Sequence, residues 1–104
     1  MADMPKGYII FTEAVHDADA LEAYVGPAGA TVVAAGGTAL VAGSALDVVE
    51  GEWHGEVTVV LEFDTVEAAT AWYHSDAYQQ LAPRRQAATQ SNAAIFAGFE
   101  PPPT

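Results

Sequence analysis

Residues 56–63, EVTVVLEF, are the clearest strand of the sequence, because β-branched and aromatic side chains fill a run too short for a typical helix. Residues 7–15, GYIIFTEAV, have the same character and are largely apolar on both faces, which predicts a central strand covered on both sides. Residues 38–44, TALVAGS, and 92–99, NAAIFAGF, have shorter apolar runs of the same kind. The sequence therefore predicts a sheet of four strands.

Two helical segments separate these strands. Asp19 and Glu22 have the spacing of a capping box, which predicts the start of the first helix, and the Gly-Pro pair at 26–27 predicts a kink or a restart within it. Thr65 is a predicted N-cap for the second helix, and Ser75 predicts a fresh start further along the same segment.

The predicted elements follow one another as strand, helix, strand, strand, helix, strand, which is the order of the ferredoxin-like βαββαβ fold. This α+β fold has an antiparallel sheet, and right-handed crossovers place both helices on one of its faces. The other face would be apolar, and a monomer would expose it as an unusually large patch. Two copies that pair through this sheet face would cover it, so the sequence predicts a homodimer.

The charge balance of the chain limits its partners. Fourteen acidic residues against three basic ones give a formal charge of −11 over 104 residues. Nucleic acids and anionic membranes are bound by clustered Lys or Arg, and Lys6, Arg84 and Arg85 cannot supply such a cluster. We therefore expect no nucleic acid and no membrane among the partners. The sequence also contains no pattern typical of a signal peptide or a spanning helix, which predicts a cytoplasmic protein.

The length allows one domain, which we place at residues 6–99, between an N-terminal tail at 1–5 and a disordered proline-rich tail at 100–104. The chain has no cysteine, so it has neither a disulfide framework nor a thiolate metal site. Its three histidines lack the spacings of metal-binding motifs, and its glycines form no phosphate-binding loop. We therefore expect no metal and no other cofactor.

Four local motifs resemble one small bacterial family, domain of unknown function 1330, which lies within the dimeric α+β barrel superfamily. They are KGYIIF at 6–11, VVEGEWHG at 48–55, VVLEF at 59–63 and AWYHSDAYQQLAPRR at 71–85. The resemblance covers about residues 6–99 and implies a dimeric α+β barrel. Members of the family usually carry an arginine just before the glycine that closes the second strand, where this sequence has Ala42.

The same resemblance implies a class of function. The superfamily includes cofactor-free monooxygenases, isomerases and cyclases, which act on small hydrophobic molecules in a cleft between sheet and helices. It therefore implies a small cofactor-independent enzyme that uses acid–base chemistry on an aromatic or polyketide-like metabolite. The alternatives are a non-catalytic module that binds such a molecule and an accessory module that only dimerises, whose cleft would be filled with aromatic side chains.

His54 and His74 are the predicted catalytic residues, because an imidazole exchanges protons near neutral pH. The alternative for His74 is a cation at a helix C-terminus, and for His54 an exposed position in a mobile loop. Tyrosine hydroxyls can donate to an oxyanion, and an arginine can bind a carboxylate, although packing and ion pairing are the ordinary roles of such residues. The predicted substrate-binding residues are Tyr73, Tyr78, Trp53, Trp72 and Arg84.

The expected site is a cleft floored by the first and third strands and bounded by the helix that ends at His74. The loop at 50–55 carries Trp53 and His54 between glycines, and we expect it to close over the cleft as a flap.

Overall fold

The computed structural model describes residues 4–102, which contain four strands and four helices. The predicted tails at 1–5 and 100–104 lie partly outside these residues. The elements are β1 (Gly7–Val15), α1 (Ala18–Ala34), β2 (Thr38–Gly43), β3 (Val57–Phe63), α2 (Val66–His74), α3 (Asp76–Gln79), α4 (Ala82–Ala88) and β4 (Thr89–Ala97). The strands form one antiparallel sheet in the order β2-β3-β1-β4, which confirms the ferredoxin-like βαββαβ fold.

β1 is a central strand, as its apolar character predicts, because it pairs with β3 on one side and with β4 on the other. Alternate side chains of β1 are buried under the helices, among them Ile9, Phe11 and Glu13. The intervening side chains, such as Ile10 and Thr12, point to the opposite face and are half-buried. The chain itself therefore covers one face of the sheet and leaves the other open.

The first helix begins at a different residue from the one predicted. Asp17 is the N-cap of α1, and its carboxylate accepts a hydrogen bond from the backbone N–H of Ala20 at 3.1 Å. Asp19 lies in the first turn instead, where its charge is favourable next to the helix N-terminus. The helix also continues through Pro27 as one element. Pro27 and Ala23 are both exposed, so water can bond the Ala23 carbonyl that the proline leaves without a donor.

The second helical segment breaks where the capping residues predict. Thr65 accepts a hydrogen bond from the backbone N–H of Ala68 at 3.0 Å and caps α2. Ser75 ends α2, and its hydroxyl then accepts from the backbone N–H of Tyr78, which starts α3. β4 begins three residues earlier than predicted, because it pairs with β1 along its whole length, up to Val15.

The core lies between the helices and the sheet and is rich in aromatic side chains. Trp72 of α2 is its centre, with ring centroids 6.4 Å from Phe11, 5.7 Å from Phe63 and 4.2 Å from Tyr78. The open face of the sheet is also apolar, with Val41 and Phe96 about half exposed. No helix within residues 4–102 has the length and apolar character needed to cross a membrane.

Candidate functional site

A cavity of about 360 Å³ lies between α1 and the helix-facing side of β1, β2 and β3. This volume is within the range of pockets that bind small molecules. Its wall is almost entirely apolar, with contributions from Phe11, Leu21, Ala28, Val59, Leu61 and Trp72. The aromatic side chains of the core therefore leave the cleft open, and Phe96 lies on the other face of the sheet.

The cavity reaches the surface between α1 and the edge strand β2. Val25 and Gly29 of α1 and Ala39 and Ala42 of β2 belong to its wall and are all exposed. The small side chains on β2 leave room for entry from this side. Ala42 occupies the position at which the family resemblance expects an arginine, so this part of the wall carries a methyl group in place of a positive charge.

Glu13 is the one charged residue among those that line the cavity. It belongs to the helix-facing side of β1 and is only 3% exposed. Burial raises the pKa of the Glu13 carboxyl above its ordinary value, and the positive charge of Arg85 partly opposes this. Among residues 4–102, Lys6 and Asp64 form the one ion pair shorter than 4 Å. The charged groups of Arg85 and Glu13 are therefore more than 4 Å apart.

Arg85 is buried next to the cavity and holds a chain of hydroxyl groups. Its Nε donates to the Tyr78 hydroxyl at 3.2 Å, and a guanidinium N–H donates to the Ser91 hydroxyl at 2.6 Å. The guanidinium also stacks 4.9 Å from the centre of the Phe11 ring. The Tyr78 hydroxyl lies 2.7 Å from that of Tyr24, which lines the cavity. Burial and this hydrogen bond raise the pKa of Tyr24 well above its ordinary value, so its hydroxyl remains protonated.

The structure brings two of the predicted site residues to this region. Trp72 contributes to the cavity wall, and its indole N–H donates to the Thr31 hydroxyl at 3.0 Å. Tyr78 is completely buried behind the wall and links Arg85 to Tyr24.

The other predicted residues on the second helical segment lie elsewhere. His74 is exposed at the end of α2, and with Tyr73 it borders a separate groove of about 300 Å³ against β4. Arg84 is exposed on α4, while its neighbour Arg85 points inward. One turn of an α-helix separates inward-facing positions by three or four residues, so Ala82, Arg85 and Ala88 are buried and Arg84 is not.

The loop that carries Trp53 and His54 lies away from the cavity. The Trp53 indole N–H donates to the Thr58 hydroxyl at 2.8 Å, and Thr58 is on the open face of the sheet, opposite Thr12. His54 is half-buried and lies 3.0 Å from the carbonyl oxygen of Gln90 on β4. The expected flap is therefore absent from the cavity as the structure describes it.

Gly55 explains the direction of this loop. Its φ of +77° is a conformation that favours glycine, and a Cβ at this position would overlap the backbone of Glu13. The next residue, Glu56, makes two hydrogen bonds to β1. Its N–H donates to the Glu13 carbonyl at 2.9 Å, and its carboxylate accepts from the Val15 N–H at 2.6 Å. The loop is thereby fixed against the end of β1.

Glu13, Tyr24 and Arg85 are the residues that the sequence analysis missed. The signal for Glu13 was present in the alternation of β1, since an acidic residue follows Ile9 and Phe11 on the side that faces the helices. Tyr24 lies one turn from Leu21 and Ala28 on the buried side of α1. Arg85 is distinguished from Arg84 only by its helical phase.

An open groove of about 600 Å³ between α1 and α2 is a weaker candidate. Small side chains line most of it, among them Ala30, Ala34, Ala68 and Ala71. Its principal polar groups, the Thr31 hydroxyl and the Trp72 indole, are bonded to each other. It offers no charged side chain to a ligand.

Solved structures with the same fold come from several bacteria. A protein of unknown function from Rhodopseudomonas palustris aligns with a TM-score of 0.71 and 18% identity over 93% of this chain and 85% of its own. SnoaB, a cofactor-independent oxygenase from Streptomyces nogalater, aligns with a TM-score of 0.67 and 14% identity over 99% of this chain and 100% of its own. A dimeric ferredoxin-like protein of unknown function from Thermobifida fusca gives a TM-score of 0.57 and 13% identity, with 90% and 92% covered.

At these identities the likeness to solved structures concerns the fold alone. A comparison with curated proteins gives no match. The family model for domain of unknown function DUF1330 matches residues 6–99, which is nearly the whole chain and the extent that the local motifs indicated. The chain therefore belongs to the DUF1330 family.

Proposed function

We propose that this protein is a small cofactor-independent enzyme that acts by acid–base chemistry on a hydrophobic, aromatic or polyketide-like molecule. The observation that carries the proposal is a buried carboxyl group, that of Glu13, in the wall of an otherwise apolar cavity. A fold shared with SnoaB, which is described as a cofactor-independent oxygenase, supports the class of chemistry.

Glu13 is suited to the role of general base. Its desolvated carboxylate has a raised pKa, and a base is most effective when its pKa approaches the pH at which it works. The positive charge of Arg85 opposes this rise.

The simplest reaction of this kind begins with a C–H bond next to a carbonyl group. Glu13 removes the proton, and the bonding electron pair moves into the ligand to form an enolate. Return of the proton to a different carbon of a conjugated ligand gives an isomerase or assists a cyclase. Addition of dioxygen to the carbanion, followed by protonation, gives a hydroperoxide instead, and loss of water from it leaves one oxygen atom in the product, as in a monooxygenase. All three outcomes share the first step, which is the step that the cavity supports.

The catalytic roles of His54 and His74 stay predictions. Both lie outside the cavity wall, so neither reaches a ligand in it within one chain. Trp53, Tyr73 and Arg84, the predicted substrate-binding residues, also lie outside the cavity wall. We therefore assign the first proton transfer to Glu13, with Trp72 in the binding wall and Tyr78 behind it.

We also propose that the protein is a homodimer formed through the open face of the sheet. Val41 and Phe96 are about half exposed on this face, and Ile10 and Val60 beside them are half-buried. Glu62 is the charged side chain of β3 on this face, and the Tyr8 hydroxyl donates to it at 2.8 Å. The Thermobifida fusca protein of the same fold is described as dimeric, which supports the proposal.

The experiment is deuterium exchange into 2-tetralone, a ketone with two fused rings and acidic C–H groups next to its carbonyl. Proton NMR in D₂O follows the loss of the exchangeable signals with wild-type protein, Glu13→Gln and the control Glu22→Gln, whose carboxyl is exposed on α1. Positioned bases contribute about 100-fold or more, so Glu13→Gln should lower the exchange rate by at least about 100-fold while 2-tetralone still binds. Glu22→Gln should exchange like the wild type.

Two results would oppose the catalytic proposal. If Glu13→Gln exchanges as fast as the wild type, Glu13 is not the base. If the wild type binds 2-tetralone without accelerating exchange, the protein is a binding module, which is the second function that an apolar cavity with a single carboxyl group supports.

A further inference from the structure

The chemistry of Arg85 fixes the direction of its hydrogen bond to Tyr78. A guanidinium N–H can only donate, so the Tyr78 oxygen accepts from Arg85 Nε. Tyr78 is fully buried, and a buried hydroxyl hydrogen without an acceptor is costly. Within residues 4–102 the other partner of this hydroxyl is Tyr24 at 2.7 Å. Either hydroxyl can donate in this pair, and donation from Tyr78 to the Tyr24 oxygen is the direction that satisfies the more deeply buried of the two.

This direction leaves the hydrogen of the Tyr24 hydroxyl free. The structure gives it no acceptor among residues 4–102, and Tyr24 is part of the cavity wall. A chain of donors thus runs from the positive charge of Arg85 through Tyr78 to the hydroxyl of Tyr24, a residue of the cavity wall. Successive hydrogen bonds in one direction polarise one another, which makes the last hydroxyl a better donor than an isolated tyrosine.

The charged residues in and around the cavity wall indicate which kind of ligand the Tyr24 hydroxyl would bind. Glu13 is the one carboxylic acid in the wall, and Arg85 is held outside it by Tyr78, Ser91 and the Phe11 ring. An anionic ligand would face the Glu13 carboxylate without a cation in the wall to balance it. An uncharged ligand with an acceptor oxygen can pack against the apolar wall and accept a hydrogen bond from the Tyr24 hydroxyl.

We propose that the ligand is an uncharged hydrophobic carbonyl compound whose oxygen accepts a hydrogen bond from Tyr24. This assignment rests on the proposed function and specifies its substrate class. When Glu13 takes the proton from the neighbouring carbon, the C–H electron pair becomes the C=C bond and the carbonyl π pair moves to oxygen. The negative charge passes from Glu13 to that oxygen, where the Tyr24 hydrogen bond strengthens.

The test compares three two-ring ligands: the ketone 2-tetralone, the hydrocarbon tetralin and the anion 2-naphthoate. Dissociation constants are measured by quenching of tryptophan fluorescence, with Trp72 in the cavity wall as the reporter. The wild type should bind 2-tetralone about threefold to tenfold more tightly than tetralin, which is the usual gain from one neutral hydrogen bond. It should bind 2-naphthoate more weakly than either.

Tyr24→Phe isolates the hydroxyl group. The variant should bind tetralin as the wild type does and lose the preference for 2-tetralone. The infrared carbonyl stretch of bound 2-tetralone should lie at lower frequency in the wild type than in Tyr24→Phe, a difference that a purely structural role of the hydroxyl would not produce.

The outcomes separate this inference from the proposed function. Equal affinity of the wild type for 2-tetralone and tetralin, or an unchanged preference in Tyr24→Phe, overturns the carbonyl assignment and leaves the cavity as a binding site. Tighter binding of 2-naphthoate also overturns it, in favour of an acidic ligand. If none of the three ligands binds to the wild type, the proposed function fails and this assignment fails with it.

Discussion

Single residues decide the chemistry of this site, and they were the hardest feature to predict. Glu13 was visible as an acidic residue in an apolar strand, but its burial follows only once the helices are known to cover that side of β1. Arg84 and Arg85 differ by one position, and the phase of the seven-residue helix α4, which begins at Ala82, determines which of them is inside. Local sequence does not fix that phase, whereas Trp72 had enough apolar neighbours at helical spacing to indicate burial.

The raised pKa of Glu13 predicts how stability depends on pH. A carboxyl with a higher pKa in the folded state binds a proton that the unfolded chain has already released, so wild-type stability falls as pH rises from the ordinary glutamate value of 4.5 through the raised pKa. Glu13→Gln has no such group. Its free energy of unfolding, relative to that of the wild type, should therefore increase with pH over this window and then level off.

Urea unfolding of both proteins at a series of pH values measures this difference. The control is Glu22→Gln, whose carboxyl is exposed on α1. A difference between Glu13→Gln and the wild type that stays constant with pH, or that decreases as pH rises, would show that the Glu13 carboxyl is not held in an environment that favours its neutral form.

At the scale of elements, strands and caps were predictable and the loop at 50–55 was not. Thr65 and Ser75 begin helices because their side chains satisfy N–H groups a few residues away, and such local chemistry can be read directly. The loop depends on contacts with distant strands, since Trp53 bonds Thr58 on the open face and Glu56 bonds β1. Glycines on both sides of a loop therefore did not establish that it moves.

The fixed position of this loop predicts a difference between two glycine variants. Gly51 and Gly55 both have positive φ, at +70° and +77°, so alanine is strained at either position. Only at Gly55 does the added methyl group also meet backbone, that of Glu13. Gly51→Ala should lower the free energy of unfolding by about 1 kcal/mol, and Gly55→Ala by about 2 kcal/mol or more.

Chemical denaturation of the two variants in parallel provides the measurement. Similar losses for both would mean that the chain at Gly55 can move away from β1, and the loop could then act as the flap that the sequence suggested.

At the scale of the whole molecule, the order of elements was enough to predict the fold. Two βαβ units with right-handed crossovers leave few alternatives, and the observed order β2-β3-β1-β4 is the expected one. The position of the cavity was harder to predict, because it depends on small residues such as Gly29 and Ala39 that leave space between α1 and β2. Empty space between elements leaves no periodic pattern in a sequence.

The open sheet face predicts the effect of a charge placed on it. Phe96→Glu introduces a carboxylate on this face, where pairing of two copies would bury it beside apolar side chains, so the variant should dissociate to particles of 10.8 kDa. Val33→Glu is the control, because Val33 is 75% exposed on α1, away from this face, and the variant should keep the mass of two chains. Light scattering at micromolar concentration reads both masses. A wild-type mass of 10.8 kDa would contradict the dimer.

The cavity between α1 and the sheet is central to the proposed function, and an amide NMR titration of the wild-type protein with 2-tetralone tests it most directly. We predict that the largest shift changes occur at Ala28, Gly29, Ala42 and Gly43, which surround the cavity on α1 and β2. Changes that gather instead at Tyr73, His74, Ala93 and Ala94, around the groove between α2 and β4, would contradict this account and return the site to the end of α2.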